Sequence, residues 1–281
     1  MPEPSNRTVL VTGGTGKQGG ATIRHLLASR QVQVRVLTRS PHSDKAKRLA
    51  AQGVELARGD FDAPQALAAA LSGVSAAFSV QGDGALEIQR GKVFADAVKA
   101  AGTPHLVYSP VDGAERGRGV PHYESKWFIE QYIRELALPV TILRPVTFME
   151  NFLMANFPLA VLLGILRAAL GRSKPLQLVS TSDVGWFAAR ALEEPARYAG
   201  RTIAVAGDEL NVDEILDAYF KVTGHAPRRF PAPRFALRLL PNNLSSMLYW
   251  FAEHGFHADI ATLKQEHPGL ISFASWLQAA H

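Results

Sequence analysis

The stretch Val9-Leu10-Val11-Thr12-Gly13-Gly14-Thr15-Gly16-Lys17-Gln18-Gly19-Gly20 constrains this chain most. An apolar run ends in a glycine-rich turn, and a helical pattern begins at once. Gly13, Gly16 and Gly19 have the spacing Gly-x-x-Gly-x-x-Gly. A chain that reverses tightly after a buried strand needs one position free in φ. A pyrophosphate approaching bare backbone N–H groups needs a second position without a Cβ, and a helix packed close to the strand favours a third glycine. The helix N-terminus then points its partial positive charge at the phosphates. Strand, glycine turn and helix in that order read as a dinucleotide-binding turn. Its candidate contacts are Gly13, Gly14, Thr15, Gly16, Lys17 and Gln18.

Strand and helix patterns alternate through the first half. Strands are predicted over 8–12, 33–38, 54–57, 74–80, 105–109 and 140–143. Helices are predicted between them over 19–29, 44–52, 64–71, 86–101 and 122–136. Helices joining successive strands imply an α/β fold, with a parallel sheet covered on both faces. Right-handed crossovers make it doubly wound and Rossmann-like. Later helices are predicted over 152–170, 182–192 (capped by Ser182) and 212–222, with a strand over 202–206. The tail, 227–281, is proline-rich and then aromatic. This half reads as a smaller α/β lid. The predicted division is 1–150 for the nucleotide-binding domain and 151–281 for the substrate or lid region, partly interleaved with the sheet. The segment Asp112–Pro121, with three glycines and little apolar content, is the candidate mobile loop. Met1–Asn6 reads as a short disordered lead-in.

Composition excludes several chemistries. The chain has 281 residues, is 47% hydrophobic and carries a net charge of +5, with no long basic block. Without a basic helix or a stacked aromatic motif, nucleic acid is not expected as a partner. There is no cysteine, so disulfides, thiolate catalysis and cysteine–zinc sites are excluded. Among the histidines only His254 and His257 lie close together, without a carboxylate motif, so no metal is expected. No Gly-x-Ser-x-Gly nucleophile elbow occurs. The most apolar segment, 152–170, is interrupted by Asn156, Pro158 and Arg167, and reads as a core or pocket-lining helix rather than a span. No membrane partner is expected, and the default compartment is the cytoplasm.

The end of the second strand is where such folds bind the adenosine ribose. An NAD-selective site places an acid there. This chain has Thr38-Arg39-Ser40, with no acid until Asp44. A guanidinium cannot accept from a 2′-hydroxyl, but it can grip a 2′-phosphate. NADP(H) is therefore expected in preference to NAD(H), with Arg39 and Ser40 as contacts. Asp60 and Phe61, after the third strand, face the adenine position. Gln81 and Gly82, after the fourth, line the crevice.

Together these residues resemble the NmrA-like group of atypical short-chain dehydrogenases/reductases. The resemblance runs through the glycine turn, the strand ending at Arg39, Gly59-Asp60 and His122 to Lys126. It continues through Leu143-Arg144-Pro145, Phe148-Met149-Glu150-Asn151 and Ser182-Asp183-Val184-Gly185. It implies that Lys126 contacts the nicotinamide ribose and that Phe148, Glu150 and Asn151 frame the nicotinamide end of the cofactor. The wider superfamily reduces carbonyls with a Tyr-x-x-x-Lys pair, in which the lysine lowers the tyrosine pKa. Here His122 stands four residues before Lys126, and Tyr123 three before it. Three alternatives stay open: His122 donates the proton, Tyr123 takes over if the helix is rotated or locally unwound, or no protonation chemistry occurs. Ser109, ending the fifth strand, stands where a carbonyl-binding hydroxyl often sits.

Two functions follow. One, favoured by the His-x-x-x-Lys pattern, is a regulator that senses the NADPH/NADP balance and signals to a protein partner. The other is an NADPH-dependent reductase of a quinone or similar small aromatic acceptor, received by Phe148, Phe152, Phe157, Trp250 and Phe251. Oligomeric state is not legible.

Overall fold

The computed structural model describes residues 7–82, 84–153, 158–227 and 230–280. The lead-in Met1–Asn6 and the expected lid residue Phe157 lie outside the described residues. The elements run β1 (Thr8–Val11), α1 (Lys17–Ser29), β2 (Gln33–Thr38), α2 (Asp44–Ala50), β3 (Glu55–Arg58), α3 (Pro64–Leu71), β4 (Val74–Ser79) and α4 (Glu87–Ala100). Then come β5 (Leu106–Tyr108), α5 (Pro121–Glu135), β6 (Val140–Pro145), β7 (Thr147–Phe148), α6 (Leu159–Leu170), β8 (Leu176–Val179), α7 (Thr181–Glu193) and α8 (Pro195–Tyr198). The chain ends with β9 (Thr202–Val205), β10 (Asp208–Leu210), α9 (Val212–Thr223), α10 (Asn242–Glu253), α11 (Ile260–Glu266) and α12 (Phe273–Ala280). Short 3-10 helices occupy Met149–Leu153 and Arg234–Leu239.

Two compact units share the chain. The first comprises residues 1–110, 125–143 and 184–203, and the second 111–124, 144–183 and 204–281. The first is built on a seven-stranded parallel sheet ordered β3-β2-β1-β4-β5-β6-β9. Register is set residue by residue, with Val9 opposite Val34 on one side and Ala76 on the other. Leu10 packs with Phe94, Val98, Ile129 and Ile133 of α4 and α5. Its neighbours Val9 and Val11 point to the opposite face, and all three are fully buried. A parallel sheet with helices on both faces requires this. Each such aliphatic side chain contributes about 1.5–3 kcal/mol by leaving water.

In the second unit a three-stranded mixed sheet is ordered β10-β8-β7, β8 running parallel to β7 and antiparallel to β10. Of the helix predicted over 152–170, α6 accounts for Leu159–Leu170, Met149–Leu153 forms a tight 3-10 turn, and 154–157 lie outside the described residues. The predicted cap of the next helix also moves. Ser180, not Ser182, accepts from the Asp183 backbone N–H at 3.0 Å, and α7 starts at Thr181. α9 opens on an Asn211–Glu214 capping box and closes on Gly224 at φ +73°. Asp183 accepts from Ser180 Oγ and from the Ile271 N–H, and His267 Nε2 lies 3.3 Å from its other oxygen. That carboxylate ties the chain before α12 to the start of α7.

Candidate functional site

Two concave sites stand out, one in each unit. The first unit carries a cleft of about 340 Å³ at the carboxyl ends of β1, β2, β3 and β4. Gly13, Gly14, Thr15, Arg39, Ser40, Asp60, Phe61, Gln81 and Gly82 all line it. Gly13 sits at φ +62°, the left-handed region that a tight turn exploits and side chains avoid. A Cβ on Gly19 would meet the Gly13 carbonyl oxygen at 2.4 Å, so α1 can approach β1 only because residue 19 is glycine. Gly16, Lys17 and Gln18 lie at the helix start and are not part of the cleft wall. α1 has no side-chain cap and no acid in its first turn, which leaves its N-terminal N–H groups and partial charge for an anion.

The cleft's electrostatics fit an anionic, polar ligand. Arg39 is exposed and, among the described residues, has no ion partner. Arg90, which sequence reasoning missed, also lines the cleft and is held 2.9 Å from Asp62. Asp60 Oδ1 accepts from the Asp62 N–H at 3.0 Å, so one carboxylate oxygen is used locally. Gln81 donates to Ser79 Oγ at 2.8 Å, while its buried Oε1 has no partner among the described residues. An orphaned acceptor, bare turn backbone and a guanidinium together suit a phosphorylated nucleotide.

The remaining first-unit candidates are engaged within the protein. Lys126 is buried, and its Nζ lies 2.8 Å from Glu87 Oε1. Ser125 Oγ donates to the other Glu87 oxygen at 2.7 Å. Glu87 was not foreseen; an acid in a helix's first turn ordinarily reads as a solvated complement to the helix dipole. Ser109 Oγ donates to Gln18 Oε1 at 2.7 Å.

The second unit carries an apolar pocket of about 390 Å³. His122, Tyr123, Phe148 and Asn151 line it, with Phe152 and Phe251. Helices α6 and α10 supply aliphatic walls through Leu162, Leu166, Leu244 and Leu248. Trp250, expected in the lid, is not part of the wall. It packs edge-on against Tyr123, with ring centroids 4.7 Å apart. α5 is a regular helix from Pro121, so the local unwinding that would let Tyr123 replace His122 is not present. Burial, with Asp112 adding to it against Arg116, pushes the Tyr123 phenol well above its ordinary pKa. The Tyr123 hydroxyl is buried without a partner among the described residues. Glu150 lines neither site; its Oε1 accepts from the Thr181 N–H and hydroxyl at 2.9 and 2.7 Å.

The segment expected to be a mobile loop is packed and bonded. Asp112, Gly113, Ala114, Gly117 and Val120 are buried. Arg116 pairs with Asp112 and Glu115, and Glu115 with Arg144 at 2.8 Å. Two of its three glycines are packing positions: a Cβ on Gly113 would meet the Trp250 ring at 2.3 Å, and one on Gly117 the Tyr123 ring at 2.2 Å, whereas Gly119 is exposed at φ +83° with open space around it. No cluster of metal-ligating side chains occurs among the described residues.

Known proteins extend this picture. The NAD(P)H azoreductase of Xenophilus azovorans is 33% identical over 223 residues, covering 78% of this chain and 75% of that enzyme. The NADPH-dependent quinone oxidoreductase QOR2 of Escherichia coli, solved with NADPH, superposes with a TM-score of 0.81 at 21% identity, covering 97% of this chain and 99% of that one. NmrA, a negative transcriptional regulator solved with NADP, gives a TM-score of 0.76 at 21% identity, covering 97% and 94%. At that level the two solved structures share the fold. The NmrA-like family model matches residues 5–268, nearly the whole length, and the chain belongs to the NmrA-like family.

Proposed function

We propose that the first-unit cleft binds NADP(H) in preference to NAD(H), and that the protein reduces a flat aromatic acceptor, such as a quinone, at the expense of NADPH. The observation that carries this reading is the open apolar pocket of the second unit, walled by Phe148, Phe152 and Phe251 and bordered by His122. A regulator that only senses the dinucleotide has no need of such a cavity, whereas a planar acceptor does. The azoreductase and the quinone oxidoreductase named above support the same class of acceptor.

Within this reading Gly13 to Gly16 and the N-terminus of α1 receive the pyrophosphate, and Arg39 takes the 2′-phosphate. Bound NADPH supplies the hydride. The acceptor gains two electrons and one proton with it, and one further proton from water completes a hydroquinone. That balance asks little of an enzymic acid, which makes histidine in place of tyrosine at position 122 tolerable. Lys126, fixed by Glu87, keeps the nicotinamide-ribose role that the family implies.

His122 itself favours a second reading, in which the protein senses the NADPH/NADP balance without turnover. A panel of benzoquinones, naphthoquinones and azo dyes offered to purified protein with NADPH separates the two. Acceptor-dependent loss of NADPH absorbance supports the reductase. Binding of NADPH and NADP with consumption at background across the panel refutes it and leaves the sensor.

A further inference from the structure

Residues 218–252 contain no acidic residue and five cations: Lys221, Arg228, Arg229, Arg234 and Arg238. Within this span the 3-10 helix Arg234–Leu239 is anchored by Leu237, which is buried. Its neighbours point the other way. Phe235 is 70% exposed and Leu239 83% exposed, and Phe230 just before them is 48% exposed. Arg234 and Arg238 are exposed beside them, without an ion partner among the described residues. Pro231, Pro233 and Pro241 restrict the backbone on either side. The segment therefore presents apolar and cationic side chains together, already ordered.

Large apolar side chains gathered on a surface mark an interaction site. We propose that Phe230, Arg234, Phe235, Arg238 and Leu239 form a docking face for an anionic lipid surface. Such a surface answers both halves of the pattern: headgroup phosphates meet the guanidinium groups, and the acyl boundary receives the phenyl and leucyl side chains. A second copy of this chain would bring the same positive charge against itself. The association is peripheral, since no described helix is long and apolar enough to cross a membrane. It departs from the sequence-based expectation of no membrane partner and is independent of what the first-unit cleft binds.

The test is sedimentation of the full chain, without nucleotide, with vesicles of phosphatidylcholine alone or mixed with phosphatidylglycerol. The expected result is binding to the mixed vesicles only, weakening as salt is raised. Arg234→Gln with Arg238→Gln should lower that affinity about fivefold per arginine. Phe235→Ser with Leu239→Ser should lower it at least as much. Both double variants should keep the wild-type melting temperature. Failure to bind phosphatidylglycerol vesicles overturns the proposal, as does binding that neither double variant changes. Concentration-dependent dimerisation abolished by Phe235→Ser would assign the face to a second copy instead.

Discussion

Lys126 Nζ and Glu87 Oε1 lie 2.8 Å apart, with both side chains buried. A buried charge stripped of its partner is costly, so Glu87→Ala should destabilise the protein by about 3 kcal/mol or more. The double variant Glu87→Ala with Lys126→Met should recover much of that loss, because no charge is left stranded. Urea unfolding of the two single variants and the double variant measures the coupling. Strictly additive losses would show that the pair is not a unit.

Arg39 is the residue asked to choose between coenzymes. Arg39→Ala removes charge-assisted hydrogen bonds to a 2′-phosphate and should weaken NADPH binding about 10- to 100-fold. NADH has no such phosphate, so its affinity should barely move. Equal weakening of both coenzymes would remove Arg39 from that role.

Gly19→Ala inserts a methyl 2.4 Å from the Gly13 carbonyl oxygen, and neither backbone can yield alone. The expected cost is about 1–3 kcal/mol of stability, with α1 displaced from the glycine turn and NADPH affinity reduced. Thermal melting and coenzyme titration of the variant check both effects. A variant with wild-type melting and affinity would contradict the close approach.

His105 is buried in the first unit beside Thr141, and desolvation lowers its pKa to about 4. The unfolded chain, with histidine near 6.5, binds more protons than the native state between those values. Its contribution is therefore complete above about pH 6.5 and is lost as pH falls toward 4. The loss is on the order of 2–3 kcal/mol. Urea midpoints at neutral and mildly acid pH should differ less in His105→Gln than in the wild type. An identical pH slope in the two proteins would assign the acid sensitivity elsewhere.

The parallel sheet was legible because each strand is an apolar run and each helix repeats with its own period, as β1 and α1 show. The small mixed sheet was not: β7 is only two residues long, and β10, Asp208-Glu209-Leu210, makes no apolar run. α10 did leave a signal: Leu244, Met247, Leu248 and Phe251 follow helical spacing, yet the aromatic tail was read as a whole. The lining of the first-unit cleft was readable from the ends of four strands. Arg90 and Glu87 were not, because a charged residue on an exposed-looking helix carries no sign of what the fold brings against it. Asp112–Pro121 was misjudged for a related reason. Glycines that admit the Trp250 and Tyr123 rings look, in sequence, like glycines that confer motion.

Calorimetric titration of the purified protein with NADPH and with NADH addresses the nucleotide cleft directly. One NADPH should bind per chain, with NADH distinctly weaker. No heat of binding from either coenzyme at millimolar concentration would contradict the assignment of the Gly13–Gly16 turn as a dinucleotide site.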